Sequence, residues 1–249
     1  MSISTTTVNM IDHLIVIYRN YDLISLQVDN FKKRLQPHRY RLVIVDNTPD
    51  NEKVPIETRS SRHLILPLDS QPSFDGVSHG RAIDYGLQYC TSPIVGIIDS
   101  DFFILNNQML DYVQEKFNEG YRAVGCEYND GKDTNQWVNI DPSKFENIPC
   151  CFGAYYDLDL AKSASWIITE QEVNQGRSTG FVEVGSKIRR YILQNKVKTC
   201  NWKTDATDYG TCYFYNENKS LMGAHFVAGS HRRWNERSKT ELERIIHAD

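Results

Sequence analysis

The sequence predicts an α/β protein built on a mostly parallel central sheet with helices on both faces. Over roughly the first 120 residues, short apolar segments alternate with segments of helical periodicity. The apolar segments are rich in β-branched residues and carry few polar ones, which is typical of strands buried on both faces. With 249 residues, 40% of them hydrophobic, the chain is long enough for one large domain with a sizeable core.

Four strands and three helices are predicted in the first half. The first helix carries apolar residues at helical spacing from Ile24 to Leu35 and ends before Pro37. Ser78 and Asn106 are expected to cap the other two helices. The predicted strands are LIVIY (14–18), LVIV (42–45), HLIL (63–66) and IVGII (94–98).

The second half has a weaker pattern. A helix is expected from Ser186, and an S-x-x-E capping box, Ser238 to Glu241, is expected to open a last helix. Residues 129–139 are polar and contain glycine, so they predict a loop. The predicted strands are 121–128, 148–156 (a strand or strand pair), 212–215 and 224–227.

Composition narrows the class of protein. The net charge is −4 and no block of lysine or arginine stands out, so nucleic acid is not an expected partner. We find no signal peptide and no apolar run of the roughly 20 residues that span a bilayer. Six scattered cysteines without a C-x-x-C pair favour free thiols over a disulfide framework or a zinc site. We therefore expect a cytoplasmic protein.

Acidic residues follow two of the predicted strands. Asp46 ends the second strand, while Asp99 and Asp101 follow the fourth. In open parallel sheets, ligands bind at the carboxyl ends of the strands. Asp99 and Asp101 are two residues apart and can point to the same side, where their oxygens suit Mg²⁺ or Mn²⁺. The alternative is purely structural: D-x-D recurs by chance, and residues 46–50 also have the composition of a turn.

Several segments, in order, resemble the family 2-like glycosyltransferases of the GT-A fold. They are LIVIYRN, LVIVDNTPD, SHGRAIDYGLQYCTSPIVGIIDSDFFIL and GAHFVAGSHRR. The resemblance implies a Rossmann-like GT-A fold for a single domain, 1–249. Its first half, 11–127, would bind the nucleotide-sugar, and 128–249 would bind the acceptor and end in the C-terminal helix.

The resemblance also implies a role for each matched residue. Asp46 is expected to accept a hydrogen bond from the nucleobase, typically uracil N3–H. Asp99 is expected near the ribose or the metal, Asp101 on the metal, and His225 as a further metal ligand. The residues expected near the phosphates and the sugar of the donor are Arg81, Ser100 and Arg232, with Ser230 and His231 beside Arg232.

The activity implied is that of a hexosyltransferase-type enzyme that uses Mn²⁺ or Mg²⁺ and moves a sugar, with inversion, from a nucleotide-diphosphate donor. A UDP-sugar is the favoured donor, and a sugar, glycan or lipid-linked hydroxyl is the expected acceptor, so peripheral contact with a membrane fits. Related sequences carry an Asp before a Thr-Gly, but here the segment reads Arg177-Ser178-Thr179-Gly180. Glu183 is therefore the predicted general base. The other candidates are Glu170, Glu172, Asp157, Asp205 and Asp208.

Two other functions stay open. The absent Asp leaves room for a non-catalytic module that keeps the fold and binds a nucleotide or a sugar. A sugar nucleotidyltransferase has a related architecture, but it usually needs a glycine-rich loop after the first strand. Here that loop, residues 19–22, contains no glycine. A kinase or P-loop enzyme is not expected, because G-x-x-x-x-G-K-[ST] does not occur.

Overall fold

The computed structural model describes residues 10–56, 62–68, 75–127, 148–150, 152–168, 184–206, 211–226 and 236–247. In these ranges the strands are β1 (Ile11–Ile17), β2 (Tyr40–Asp46), β3 (Leu64–Pro67), β4 (Ile94–Asp99), β5 (Phe102–Ile104), β6 (Ala123–Cys126), β7 (Gly153–Asp157), β8 (Thr199–Ala206), β9 (Thr211–Tyr215) and β10 (Leu221–Phe226). The helices are α1 (Tyr21–Arg34), α2 (Asp75–Leu87), α3 (Met109–Asn118), α4 (Leu158–Ala161), α5 (Ser186–Gln194) and α6 (Glu236–His247).

The first half is the predicted parallel sheet. β1 pairs in parallel with β2 and β4, and β2 pairs in parallel with β3. Alternate residues of these strands enter two separate cores. Ile15 packs with Ile24 and other residues of α1 on one face, while Leu14 packs with Ile83 and other residues of α2 on the other. Burial on both faces explains why these strands read as continuous apolar runs.

The second half adds strands in mixed directions. β7 runs antiparallel to β4 and to β6, and β6 pairs in parallel with β8. β9 pairs antiparallel with β8 on one side and with β10 on the other. Among the described residues of the predicted 148–156 segment, those from Gly153 onward form a strand, while 148–150 and 152 do not. β8 was not predicted, because its exposed Lys203 and Asp205 alternate with inward side chains such as Trp202 and the run is not continuously apolar.

Two helices begin earlier than their sequence signals indicate. α2 begins at Asp75, so Ser78 lies inside the helix, where its Oγ accepts a hydrogen bond from Asn47 Nδ2 at 2.7 Å. α6 begins at Glu236, before Ser238. A serine hydroxyl serves as a cap or as a tertiary acceptor equally well, and the local sequence does not distinguish the two. The predicted loop at 129–139 lies outside the described residues.

The sheet curls back on itself at the exit of β4. Its strand order is β3-β2-β1-β4-β7-β6-β8-β9-β10-β5. β4 and β5 are consecutive in the chain, with only Ser100 and Asp101 between them, yet five strands separate them in the sheet. β10 pairs antiparallel with β5 and sets His225 opposite Phe102. The curl therefore brings the far end of the sheet to the two acids.

Helix length and hydropathy bear on membrane insertion. Within the ranges that the structure describes, no helix combines the length and apolar character needed to cross a bilayer.

Candidate functional site

Three side chains with metal-ligating atoms meet where β4 ends, β5 begins and β10 passes. The carboxylate oxygens of Asp99 and Asp101 and a ring nitrogen of His225 all lie within 4.8 Å of one another. His225 Nε2 is 3.1 Å from Asp101 Oδ1. The Asp101 side chain is only 2% exposed, whereas that of Asp99 is 29% exposed. The cluster is therefore closed on the side of Asp101 and open on the side of Asp99.

Backbone hydrogen bonds fix the turn that carries the two acids. Asp99 N donates to Phe152 O at 2.9 Å, and Phe226 N donates to Asp101 O at 3.0 Å. Gln27 Nε2 donates to Asp99 O at 2.8 Å. The two carboxylates are thus attached to a backbone that is held by the residue before β7, by β10 and by α1, so their separation is set by the fold.

Phe152 orients the imidazole of His225. The two rings are stacked, with centroids 4.4 Å apart and an angle of 6° between their planes. Such a contact restricts rotation of the imidazole and keeps Nε2 directed at Asp101. The sequence gives no local sign of this contact, since 73 positions separate the two residues in the printed chain.

A second histidine lies at the open side of the cluster. His79, on α2, places its Nε2 3.8 Å from Asp99 Oδ1. Removal of the ring from water lowers the pKa of His79 to about 4, although the negative charge of Asp101 opposes this shift. The imidazole is therefore neutral at neutral pH. Its position in the sequence, near the start of a predicted helix, was equally consistent with a solvated side chain.

Asp46 lies at the same edge of the sheet but outside the cluster. Ile17 of β1 pairs with Asp46, and Val16 pairs with Asp99. Since successive residues of a strand point to opposite faces, Asp46 faces α1 while Asp99 faces α2. The structure therefore brings Asp99, Asp101 and His225 together and keeps Asp46 on the opposite face, with β1 between the two acids.

The Asp46 carboxylate is almost fully buried and is oriented by two donors. Tyr21 Oη donates to its Oδ2 at 2.9 Å, and Thr48 N donates to its Oδ1 at 3.1 Å. A carboxylate has about four acceptor positions, so it retains the capacity to accept from a ligand.

The remaining predicted site residues, apart from Asp205, fall in three groups. Ser100 is buried in the turn between β4 and β5, and Arg81 is exposed on α2. Asp157 pairs with Ile94 at the opposite end of β4 from Asp99, where it bonds Arg122. The predicted residues that lie outside the described ranges are Glu183, Arg232, Ser230, His231, Glu170, Glu172 and Asp208.

Asp205, the other described candidate for a general base, lies on β8. Across the sheet it lies in one row with its paired residues Tyr213 on β9 and Ala224 on β10. His225 follows Ala224 on β10 and therefore belongs to the neighbouring row. Because neighbouring rows point to opposite faces, the side chains of Asp205 and His225 are directed to different sides of the sheet.

The donor set fits a divalent cation. Two carboxylates held close together repel each other, and a cation between them relieves that repulsion. Carboxylate oxygens are typical ligands of Mg²⁺ and Mn²⁺, while imidazole favours transition metals. The combination of two carboxylates with one imidazole therefore fits Mn²⁺ better than Mg²⁺.

Comparisons with known proteins rest on the fold alone. No family model and no curated protein matches the sequence. Among solved structures, the mannosyltransferase PcManGT from Pyrobaculum calidifontis, in complex with GDP-Man and Mn²⁺, matches with a TM-score of 0.51 at 15% identity. The match covers 78% of this chain but only 54% of PcManGT, so this chain spans about half the length of that enzyme.

Two further structures match less closely. S. aureus TarS matches with a TM-score of 0.45 at 15% identity, covering 65% of this chain and 31% of TarS. Glucosyl-3-phosphoglycerate synthase from Mycobacterium tuberculosis matches with a TM-score of 0.43 at 16% identity, covering 61% of this chain and 58% of the synthase.

The match to PcManGT agrees with the architecture described above. The parallel half of the sheet, its flanking helices and the acids at the end of β4 all follow the prediction from the sequence. The predicted fold is therefore confirmed: the chain has the GT-A fold, which it shares with PcManGT.

Proposed function

We propose that this protein is a metal-dependent glycosyltransferase that moves a sugar from a nucleoside-diphosphate donor to a hydroxyl acceptor. The observation that carries the proposal is the cluster of Asp99, Asp101 and His225 at the carboxyl end of a parallel sheet in this fold. Ligands of open α/β sheets bind at that edge, and PcManGT, which shares the fold, is a mannosyltransferase solved with GDP-Man and Mn²⁺.

Asp99, Asp101 and His225 would hold the cation, with Mn²⁺ as the favoured ion. When bound, the cation neutralises the negative charge that grows on the departing diphosphate. The buried Asp101 provides a fixed ligand. Asp99 stands on the open side, from which a donor diphosphate would approach, and His79 lies beside it as an imidazole that can donate a hydrogen bond.

Asp46 is proposed to accept the nucleobase. Tyr21 and Thr48 already orient its carboxylate, and a ring N–H such as N3–H of uracil matches a carboxylate acceptor. This favours a UDP-sugar. Guanine also presents ring and amino N–H donors, so a GDP-sugar is the competitor that a test has to include. Glu183 stays the proposed general base for an inverting transfer, on the sequence alone.

A thermal-shift screen of UDP-, GDP- and dTDP-sugars, with and without Mn²⁺, tests the proposal. A ligand that binds only the native state stabilises it by about 2.7 kcal/mol at 100 times its Kd. For a chain of this size that is a rise in Tm of roughly 5–10 °C. We expect the rise with a UDP-sugar plus Mn²⁺, and not in Asp101→Asn, which should otherwise fold normally.

Asp159→Asn is the matched control, because Asp159 is exposed on α4 at the other end of the sheet. It should respond like the native chain. An unchanged response in Asp101→Asn contradicts the metal site. Binding of donor and Mn²⁺ without turnover on any acceptor favours the non-catalytic binding module instead.

A further inference from the structure

Two amide side chains of α1 bond to the backbone of β5 along the edge that faces away from β10. Asn30 Nδ2 donates to Ile104 O at 3.0 Å, and Ile104 N donates to Asn30 Oδ1 at 2.9 Å. Gln27 Nε2 donates to Phe102 O at 2.8 Å. The backbone N–H and C=O groups of Phe102 and Ile104 that bond the two amides point away from β10. Along β5 they alternate with the backbone groups that form the pairing with β10. The amides therefore take the place of a neighbouring strand.

Gln27 bonds more than the edge of β5, because its Nε2 also donates to Asp99 O at 2.8 Å. One NH₂ group thus bonds the last residue of β4 and the first residue of β5. It bridges the two ends of the Asp99-Ser100-Asp101 turn, and both of its protons are used. Asn30 contacts β5 only beyond the turn, so the two amides differ in what they hold.

The orientation of the Gln27 amide is determined by these bonds. Its side chain is fully buried, and its Oε1 has no hydrogen-bond partner among the described residues. The opposite orientation would direct Oε1 at two carbonyl oxygens, which is repulsive. An apolar residue of the same shape would leave the carbonyl groups of Asp99 and Phe102 without this donor, and unpaired buried carbonyls are costly.

We propose that Gln27 is a positioning residue for the metal site: its bonds to both ends of the turn complete the backbone pairing of Asp99 and Asp101, and together they set the separation of the two carboxylates. The inference rests on the metal site proposed above. The turn is short, so a change in its backbone dihedral angles moves both carboxylates relative to His225. Groups that orient metal ligands in this way typically change metal affinity by about 10- to 100-fold.

The test is Mn²⁺ titration of the full chain by calorimetry for the native protein, Gln27→Met and Asn30→Leu. Both variants remove a buried amide from the same face of α1, so both lower the Tm. We expect Gln27→Met to weaken Mn²⁺ binding about tenfold, and Asn30→Leu to leave it within about twofold. Excess Mn²⁺ should restore donor binding to Gln27→Met, which loss of packing alone would not allow.

The outcomes separate this inference from the one on which it rests. If the native chain binds no Mn²⁺, the metal site is wrong and the role of Gln27 falls with it. If the native chain binds Mn²⁺ and Gln27→Met binds it equally well, or Asn30→Leu weakens it as much, only the role of Gln27 is overturned.

A second pair of measurements covers the case in which Gln27→Met does not fold. Gln27→Glu keeps the shape but places an acceptor against both carbonyl groups, so it should weaken Mn²⁺ binding at least as much. In the native chain, the NMR signals of the Gln27 side-chain amide should shift when Mg²⁺ is added. Signals that stay unchanged while Mg²⁺ binds would overturn the inference.

Discussion

Asp46 shows how a single residue acquires its role from neighbours that the sequence does not display. The apolar run of β2 predicted that Asp46 stands at the end of a strand, and the structure places it there. The local pattern did not indicate Tyr21 as its partner, because that contact joins the start of α1 to the end of β2. The same holds for His79, Phe152 and Gln27, whose roles depend on which side of an element they occupy.

Tyr21→Phe isolates the contribution of that partner. It removes one hydrogen bond to the Asp46 carboxylate and leaves the ring in place. We expect donor nucleotide affinity to fall about fivefold, since loss of such a bond costs about 1 kcal/mol. Mn²⁺ affinity should stay unchanged. Tyr89→Phe, which loses only the solvent-exposed hydrogen bond from the exposed Tyr89 to the half-buried Tyr85, is the control. Equal effects on nucleotide and Mn²⁺ would contradict separate roles for Asp46 and the cluster.

Among elements, the strands buried on both faces were the most predictable. A continuous apolar run indicates both that a segment is a strand and that the strand is buried. β1, β2 and β4 were predicted in this way. β8 carries a mixture of exposed and buried residues, so its identity depends on the strands beside it. Helix ends were also less predictable, because Ser78 uses its hydroxyl for a tertiary contact instead of a cap.

One buried acid, Asp12, links the beginning of β1 to neighbouring segments by hydrogen bonds. The carboxylate of Asp12 accepts hydrogen bonds from Arg41 Nε at 2.8 Å, Arg41 Nη2 at 2.6 Å, Thr91 N at 2.7 Å and Ser92 N at 3.0 Å. It thereby joins β1, β2 and the turn before β4. Burial acts to raise the pKa of Asp12, but the hydrogen bonds from Arg41, Ser92 and Thr91 outweigh it and hold the pKa below its usual value.

Asp12→Asn should therefore lower the free energy of unfolding by about 3 kcal/mol at pH 7, because it leaves the charge of Arg41 without its partner. A depressed pKa contributes stability above the unfolded value near 3.9, and this contribution is lost as the pH falls through the folded value. Urea unfolding at pH 7 and pH 3 should show a smaller gap between native and variant at pH 3. The control is Asp29→Asn, at the exposed i,i+3 partner of the exposed Lys32, which should cost less than about 1 kcal/mol.

At the scale of the whole molecule, the two halves are joined by strand pairing and also where α2 meets residues 165–168. Asp84 Oδ1 accepts from Trp166 N at 2.9 Å, and Asp84 Oδ2 accepts from Ser165 Oγ at 2.6 Å. One helical turn earlier, Gly80 allows close approach: a Cβ there would lie 2.3 Å from Trp166 O. The sequence predicted neither contact, because they join segments more than 80 positions apart.

Gly80→Ala should separate these segments. The obstructing atom belongs to the backbone and cannot rotate away, so the halves have to shift, at a cost of about 1–3 kcal/mol. Gln88→Ala, at an exposed position after α2, should stay within about 0.5 kcal/mol. Chemical unfolding of both variants measures the difference, and an unchanged Gly80→Ala protein would show that α2 and the second half are not tightly packed.

The return of β5 to the far end of the sheet has a consequence for the order of folding. His225 and Asp101 are 124 positions apart, and they meet only after β7, β6, β8, β9 and β10 have taken their places between β4 and β5. Contacts of such long range form late, because chain closure has to precede them. In a folding intermediate that has formed only the parallel half of the sheet, Asp99 and Asp101 are therefore present without His225 beside them. Tight metal binding should appear during refolding as a final event, after the helical signal has recovered.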